Sequence, residues 1–178
     1  MRFVGIDPGY SGAISWIQVY SDGSCRTASV DMPISADGFL DPLSLAGLVG
    51  GRYAAICIEH VGSFGTEGRA SLAKFMEIFG GIRAVALLSG NPLTLVRPME
   101  WKEALGLVTR TPKGQKVSLT SKEKVIKRRE GKEAAVSLAI SLYPDAAKYL
   151  TRKKDHDRAE ALLLAHYLRI QYENQSST

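Results

Sequence analysis

Residues 2–20 read Arg2-Phe3-Val4-Gly5-Ile6-Asp7-Pro8-Gly9-Tyr10-Ser11-Gly12-Ala13-Ile14-Ser15-Trp16-Ile17-Gln18-Val19-Tyr20, and their reading decides the fold. Phe3-Val4-Gly5-Ile6 is a short apolar run of the kind that forms a buried strand. Asp7-Pro8-Gly9 breaks it, because proline and glycine punctuate regular structure. Gly12–Tyr20 partly alternates apolar and polar residues and predicts a second strand. Ser21-Asp22-Gly23-Ser24 is a hairpin turn signal, so a third strand near Arg26–Asp31 should return antiparallel.

Downstream, strands and helices alternate. Pro42–Gly50 predicts a short helix closed by Gly50-Gly51. Ala54–Glu59 is an apolar strand finishing on a carboxylate. His60–Gly68 is a Gly- and Ser-rich loop. Ala70–Leu88 has helical apolar spacing, and Leu93–Val96 is a fifth strand. Pro98–Leu105 opens with proline in its first turn, a helix start. Gly106–Gly131 is polar and basic, expected as a mobile loop or insertion with helical character near its end. Lys132–Leu142 and Asp155–Gln171 are helices, and residues 172–178 should fray. Three hairpin-joined strands followed by βαβ crossovers give an α/β fold. Its mixed five-stranded sheet has three antiparallel strands plus two parallel ones, with helices on both faces. We read residues 1–171 as one domain.

Composition narrows the classes. The chain has 178 residues, 45% hydrophobic and 23% charged, which suits one globular domain and excludes disorder or low complexity. No apolar run reaches the roughly 18 residues of a membrane span, and the opening Met1-Arg2-Phe3-Val4 has no secretory signal pattern. The expectation is a cytoplasmic protein, or an organellar one if a transit peptide has been removed. Cys25 and Cys57 are too few for a disulfide framework or a four-ligand zinc site, and read as small buried thiols in a reducing compartment.

Charge is uneven. From Trp101 to Lys154 there are fourteen Lys/Arg against five Asp/Glu, a net of +9 in a chain whose formal net charge is +5. A basic block on an otherwise mildly acidic protein suggests a polyanionic partner. Phosphate contacts are expected from Arg110, Lys113, Lys116, Lys127, Arg128, Arg129, Lys153 and Lys154.

Ligand sites in such sheets lie beyond the carboxyl ends of the parallel strands, where Asp7 and Glu59 sit. A carboxylate ending an apolar strand is costly without a positive partner. Two that the topology can set side by side repel, and a divalent cation neutralises them. Asp157 and Glu160, spaced i, i+3, share one helix face. Asp155 stands where an N-cap would, and His156 is i, i+4 from Glu160. Oxygen donors without usable cysteine suit Mg²⁺ or Mn²⁺, and two such ions can serve an in-line phosphodiester displacement.

Gly5-Ile6-Asp7-Pro8-Gly9 with Gly12-Ala13, Ile58-Glu59 and Asp157-Arg158-Ala159-Glu160-Ala161 resemble the RNase H-like fold of RuvC-type Holliday-junction resolvases. Pro98–Leu107 and the run Lys153–Ala165 are most similar to the chloroplast branch of that family and its bacterial and phage relatives. The resemblance implies a metal-dependent endonuclease that resolves four-way DNA junctions as a homodimer, with two Mg²⁺ (or Mn²⁺) ions per site. It leaves a 5′ phosphate and a 3′ hydroxyl. It places the family's first Asp on Asp7, its strand-four Glu on Glu59 and its last helical carboxylate on Glu160. The fourth ligand stays open between Asp157, Asp155 and His156. The resemblance also sets Lys102 near the scissile phosphate and Lys132 at a second basic position. It makes Phe64 a ring that stacks on bases at the junction centre. Two rivals remain: an RNase H-like nuclease for RNA–DNA hybrids or flaps, and a non-catalytic junction-binding protein.

Overall fold

The computed structural model describes residues 1–51, 54–60, 68–108, 120–152 and 154–176. Its elements are β1 (Arg2–Asp7), β2 (Ala13–Val19), β3 (Cys25–Asp31), α1 (Pro42–Val49), β4 (Ala54–Glu59), α2 (Arg69–Leu88), β5 (Leu93–Val96), α3 (Pro98–Ala104), α4 (Ser121–Leu142), a 3₁₀ segment (Pro144–Tyr149) and α5 (His156–Ser176). The five strands form one sheet in the order β3-β2-β1-β4-β5. β1–β2 and β2–β3 pair antiparallel, β1–β4 and β4–β5 parallel. The mixed sheet with helices on both faces is the predicted architecture.

Strand alternation sorts side chains to two cores. Val4, Ile6, Ile56 and Ile58 pack with Leu45 of α1 and Ile78, Phe79 and Ile82 of α2. Phe3, Ala55 and Cys57 pack with Trp101 of α3, Ala135 and Ala139 of α4 and Leu162–Ala165 of α5. The same parity carries Asp7 and Glu59 to the α5 face. The parallel register pairs Gly5 with Cys57 and Ile6 with Ile58, so the two carboxylates lie level on neighbouring strands.

Gly5 sets how close α5 comes. A Cβ there would lie 2.0 Å from the Ala161 carbonyl oxygen and 2.5 Å from the Ala165 nitrogen, so only glycine lets the helix backbone rest on β1. That approach brings Glu160, one residue before Ala161, over the end of the strand. Gly12 closes the Asp7–Gly12 turn under similar crowding, with a Cβ position 2.1 Å from the Asp7 carbonyl oxygen.

Two boundaries differ from expectation. The basic stretch read as a loop is largely helix, because α4 begins at Ser121. A capping box starts it: Glu123 N donates to Thr120 Oγ1 at 3.3 Å, and Thr120 N donates to Glu123 Oε2 at 2.7 Å. Thr120–Gly131 is exposed all round, so this half of α4 has no apolar stripe by which its sequence could announce a helix. The chain end expected to fray from residue 172 continues as helix to Ser176, helped by Arg169 pairing with Glu173 at 2.6 Å and Tyr172 packing edge-on against Phe3.

Candidate active site: an acidic cleft at the strand ends

A cleft of about 480 Å³ opens where β1, β4 and α5 meet, lined by Asp7, Glu59, Asp157 and Glu160. Two of these acids arrive on strand ends. The other two arrive on one face of the first turns of α5. Gly9, Ser11 and Gly12 of the turn after β1 form another wall, and Lys102, Lys127, Arg128 and Lys132 supply the positive side.

α3 controls two of the acids from adjacent residues. Trp101 is fully buried, and its indole Nε1 donates to Glu59 Oε1 at 2.8 Å. Lys102 Nζ lies 3.0 Å from both carboxylate oxygens of Glu160. α3 is itself tied to α5, where Tyr167 Oη donates to Glu100 Oε1 at 3.1 Å. Trp101 is the site residue that sequence reasoning missed. Only its place beside Lys102 hinted at a role, since nothing local says that the ring reaches back to β4.

The electrostatics are those of crowded, under-neutralised acids. Burial, followed by the charges of Glu59, Glu160 and Asp157, pushes the Asp7 carboxyl well above its usual range, and Lys102 only partly opposes this. Burial also raises Glu59, against the Trp101 hydrogen bond and Lys102 and with help from Glu160. Asp157 is raised by burial, against His156 and Lys132. The cations of the cleft oppose these shifts without overcoming burial, and the acids offer only hard oxygen donors, which fits one or more small divalent cations. Among the described residues no group of three or more His, Cys, Asp or Glu side chains forms a ready cation cage. As the chain stands, Trp101 holds Glu59 and Lys102 holds Glu160, while His156 Nε2 sits 2.8 Å from Asp157.

Asp155, a candidate fourth ligand, is not in the cleft. It occupies the N-cap position, its carbonyl oxygen accepting from Ala159 N at 3.0 Å. Its carboxylate is buried on the far side of the helix start. There it accepts from Arg152 N at 2.7 Å and Arg152 Nε at 2.8 Å and lies 3.7 Å from Arg158 Nε. Both arginines also reach Asp31 at the end of β3, Arg158 at 2.7 Å and Arg152 at 3.1 Å. Ser15 Oγ donates to the Arg158 carbonyl at 2.9 Å and shares a hydrogen bond with Ser29. This clamp locks the start of α5 to β2 and β3, so that Asp157 and not Asp155 faces Asp7.

The remaining candidates divide. Lys127, Arg128 and Lys132 line the cleft. Arg129 points round the helix and pairs with Glu133 at 3.4 Å. Lys154 lies 3.6 Å from Asp31, at the clamp. Phe64, Arg110, Lys113, Lys116 and Lys153 lie outside the described residues. Cys25 and Cys57 are free, and burial with Glu59 and Glu100 nearby pushes the Cys57 thiol up to about 12. Among the described residues no helix is long and apolar enough to cross a membrane.

No family model matches the sequence, and no curated protein matches it. Solved structures do. The chain is similar to Thermus thermophilus RuvC in complex with a Holliday junction substrate, at 16% identity and a TM-score of 0.60, over 94% of this chain and 92% of that one. A second Thermus thermophilus RuvC structure matches at 17% identity and a TM-score of 0.56, over 96% and 97% of the two chains. The fold is the one these RuvC structures have.

Proposed function

We propose that this chain is a structure-selective endonuclease that resolves four-way DNA junctions by paired symmetric nicks. One observation carries the reading. Four carboxylates from β1, β4 and α5 converge in a cleft whose rim is cationic, on a fold shared with a RuvC bound to junction DNA. Acids alone would repel a phosphodiester, and lysines alone would bind one without cutting it.

Asp7, Glu59, Asp157 and Glu160 would hold the two metal ions, Mg²⁺ or Mn²⁺. Bound there, such ions supply Lewis-acid charge at the phosphoryl group and an acidified water as nucleophile. The protein's own part is orientation. Trp101 fixes the Glu59 carboxylate by its indole hydrogen bond. Lys102, within reach of the cleft centre, is placed to meet a non-bridging phosphate oxygen once Glu160 has another positive partner. Lys127, Arg128 and Lys132 hold neighbouring phosphates and carry no base information. A 5′ phosphate and a 3′ hydroxyl are the expected products.

Two nicks of like polarity on a roughly two-fold substrate call for a C2 homodimer. Much of α2 serves the chain's own fold and is not free for that contact. Ile78 and Phe79 are buried and Phe75 packs beside them in the core, while a Cβ on Gly81 would meet Leu40. Met76, Leu87 and Leu88 remain exposed on the same helix and are the apolar side chains α2 can offer a second copy.

The test is cleavage of a synthetic mobile four-way junction in Mg²⁺, with products mapped on all four strands, beside duplex, flap and RNA–DNA hybrid substrates. Paired nicks at symmetric positions, specific to the junction, are expected. Preferential cutting of hybrids or flaps, or binding without any nick, would overturn the reading.

A further inference from the structure

Lys102 puts a positive charge among the cleft acids. Its Nζ lies 3.0 Å from both oxygens of Glu160, and its charge opposes the upward shifts of Asp7 and Glu59. One ammonium from α3 thus acts on acids of β1, β4 and α5 together. The neighbouring Trp101 engages Glu59 differently, as a neutral donor to one oxygen, Oε1. A carboxylate held that way keeps its charge and can still ligate a cation. A carboxylate whose two oxygens both accept from an ammonium is neutralised in place.

The pair is built to exchange partners. The Lys102 and Glu160 side chains are 24% and 15% exposed, so water compensates neither charge fully when it is left alone. Each ion leaves the other only as a replacement arrives. The base of Lys102 stays in place: Trp101 is buried, and Tyr167 ties Glu100 to α5. The ammonium lies 4.9 Å from the Trp101 ring, and only its flexible four-carbon stem has to swing.

Resting on the reading of the cleft as a metal-dependent phosphodiester-cutting site, we propose that the Lys102–Glu160 pair is a lock on the metal site, closed in the chain alone and opened by DNA. Lys102 holds Glu160 until a phosphate in the cleft accepts the ammonium. Glu160 is then available as a ligand beside Asp7, Glu59 and Asp157. The chain alone is therefore a weak metal binder. Metal and DNA strengthen each other's binding by the same factor, as linkage requires, and loading of the ions is confined to the DNA complex. A lysine that served only to meet phosphate would need no partner among the ligands.

The test is Mn²⁺ affinity, read by calorimetry, for wild type, Lys102→Met, Lys102→Arg and Lys127→Met. Titrations are run on the chain alone and on its complex with a junction pre-nicked at the mapped cut positions, so that nothing remains to be hydrolysed. The uptake of Mn²⁺ by the DNA itself is subtracted. Without DNA, Lys102→Met should bind Mn²⁺ about 10-fold more tightly than wild type. Lys102→Arg, whose fork grips a carboxylate by two parallel hydrogen bonds, should bind it several-fold less tightly. Opposite signs at one position do not arise from general damage to the fold. Lys127→Met removes the same charge from another wall of the cleft and should change affinity by less than about 3-fold. Adding DNA should tighten wild type about 10-fold more than it tightens Lys102→Met. Lys102→Met no tighter than wild type, or matched by Lys127→Met, or tightened equally by DNA, overturns the lock alone. Lys102→Arg keeps the charge and so the fold, and equal or tighter binding by it also overturns the lock. Failure of the wild-type chain to nick the junction in Mg²⁺ or Mn²⁺ overturns the lock and the proposed function together.

Discussion

Two clusters of acids flank the start of α5 and behave oppositely. At the clamp, Asp31 and Asp155 meet Arg152, Arg158 and Lys154. Burial opposes it, but the arginine hydrogen bonds and charges hold both carboxyls below their ordinary range. In the cleft, burial and mutual repulsion hold Asp7, Glu59 and Asp157 above theirs. Residue type is the same and the chain separation from Asp155 to Asp157 is two residues. The difference is whether the counter-charge the protein brings outweighs burial. Acids neutralised from within hold the fold together. Acids left short of positive charge destabilise it and are poised for a ligand.

The largest effect that separates the clusters is on catalysis. Asp7→Asn nearly keeps shape and removes one charge. Nicking of a four-way junction should fall at least about 10²-fold, the order an electrostatic group at a reacting centre supplies. Junction binding should persist or tighten as repulsion of phosphate falls. Asp155→Asn, assayed well below its melting temperature, should stay within about tenfold of wild type. Equal losses in the two variants would erase the distinction between cleft and clamp.

Stability should move the other way. Asp155→Ala strips Arg152 and Arg158 of a buried partner and should cost about 1–3 kcal/mol, read as a drop in urea midpoint at unchanged m-value. Asp7→Asn, measured in chelator at neutral pH, should raise the melting temperature by at least about 2 °C, what roughly 1 kcal/mol gives in a chain of this size. Mg²⁺ or Mn²⁺ at a hundred times its dissociation constant should add about 2.7 kcal/mol to wild type and much less to Asp7→Asn. A lower melting point for metal-free Asp7→Asn would sink the idea that the cleft is under-neutralised.

The pH dependence has opposite signs in the two regions. Folded-state values at the clamp are depressed, so its stabilisation is complete above the ordinary Asp value of 3.8 and is lost as pH falls through the folded values below it. Cleft values are raised, so the folded chain holds extra protons there. Its stability falls as pH climbs from the ordinary values of 3.8 for Asp and 4.5 for Glu through the folded ones. Melting in chelator from pH 3 to 8 should therefore rise and then decline. Asp7→Asn should flatten the decline, and Asp155→Asn should weaken the rise. The smallest effect concerns the rim. Neutralising Lys127 and Arg128 together should lower the slope of log binding against log salt by roughly 0.9 for each duplex-arm phosphate they neutralise.

Much of this was legible along the chain. Apolar runs marked β1, β4 and β5, partial alternation marked β2 and a hairpin signal marked β3, and Asp7 and Glu59 each close an apolar run. The i, i+3 spacing put Asp157 and Glu160 on one face. These are local signals, set by backbone period and by the cost of burying or breaking an element. The same signals failed for the first half of α4, a helix exposed on every side, whose start rests on the Thr120–Glu123 capping box.

What the sequence could not decide was which of two nearby aspartates faces the cleft, and what holds Glu59. Asp155 and Asp157 carry identical side chains in the same helical turn. Their roles are separated by Arg152 and Arg158, by Asp31 from the far edge of the sheet, and by Gly5, which lets α5 settle on β1. Trp101 meets Glu59 across 42 residues. Periodicity assigns a side chain to a face of its own element. Only packing decides which charges lie opposite it, because Coulomb forces and hydrogen bonds act across space and are indifferent to distance along the chain.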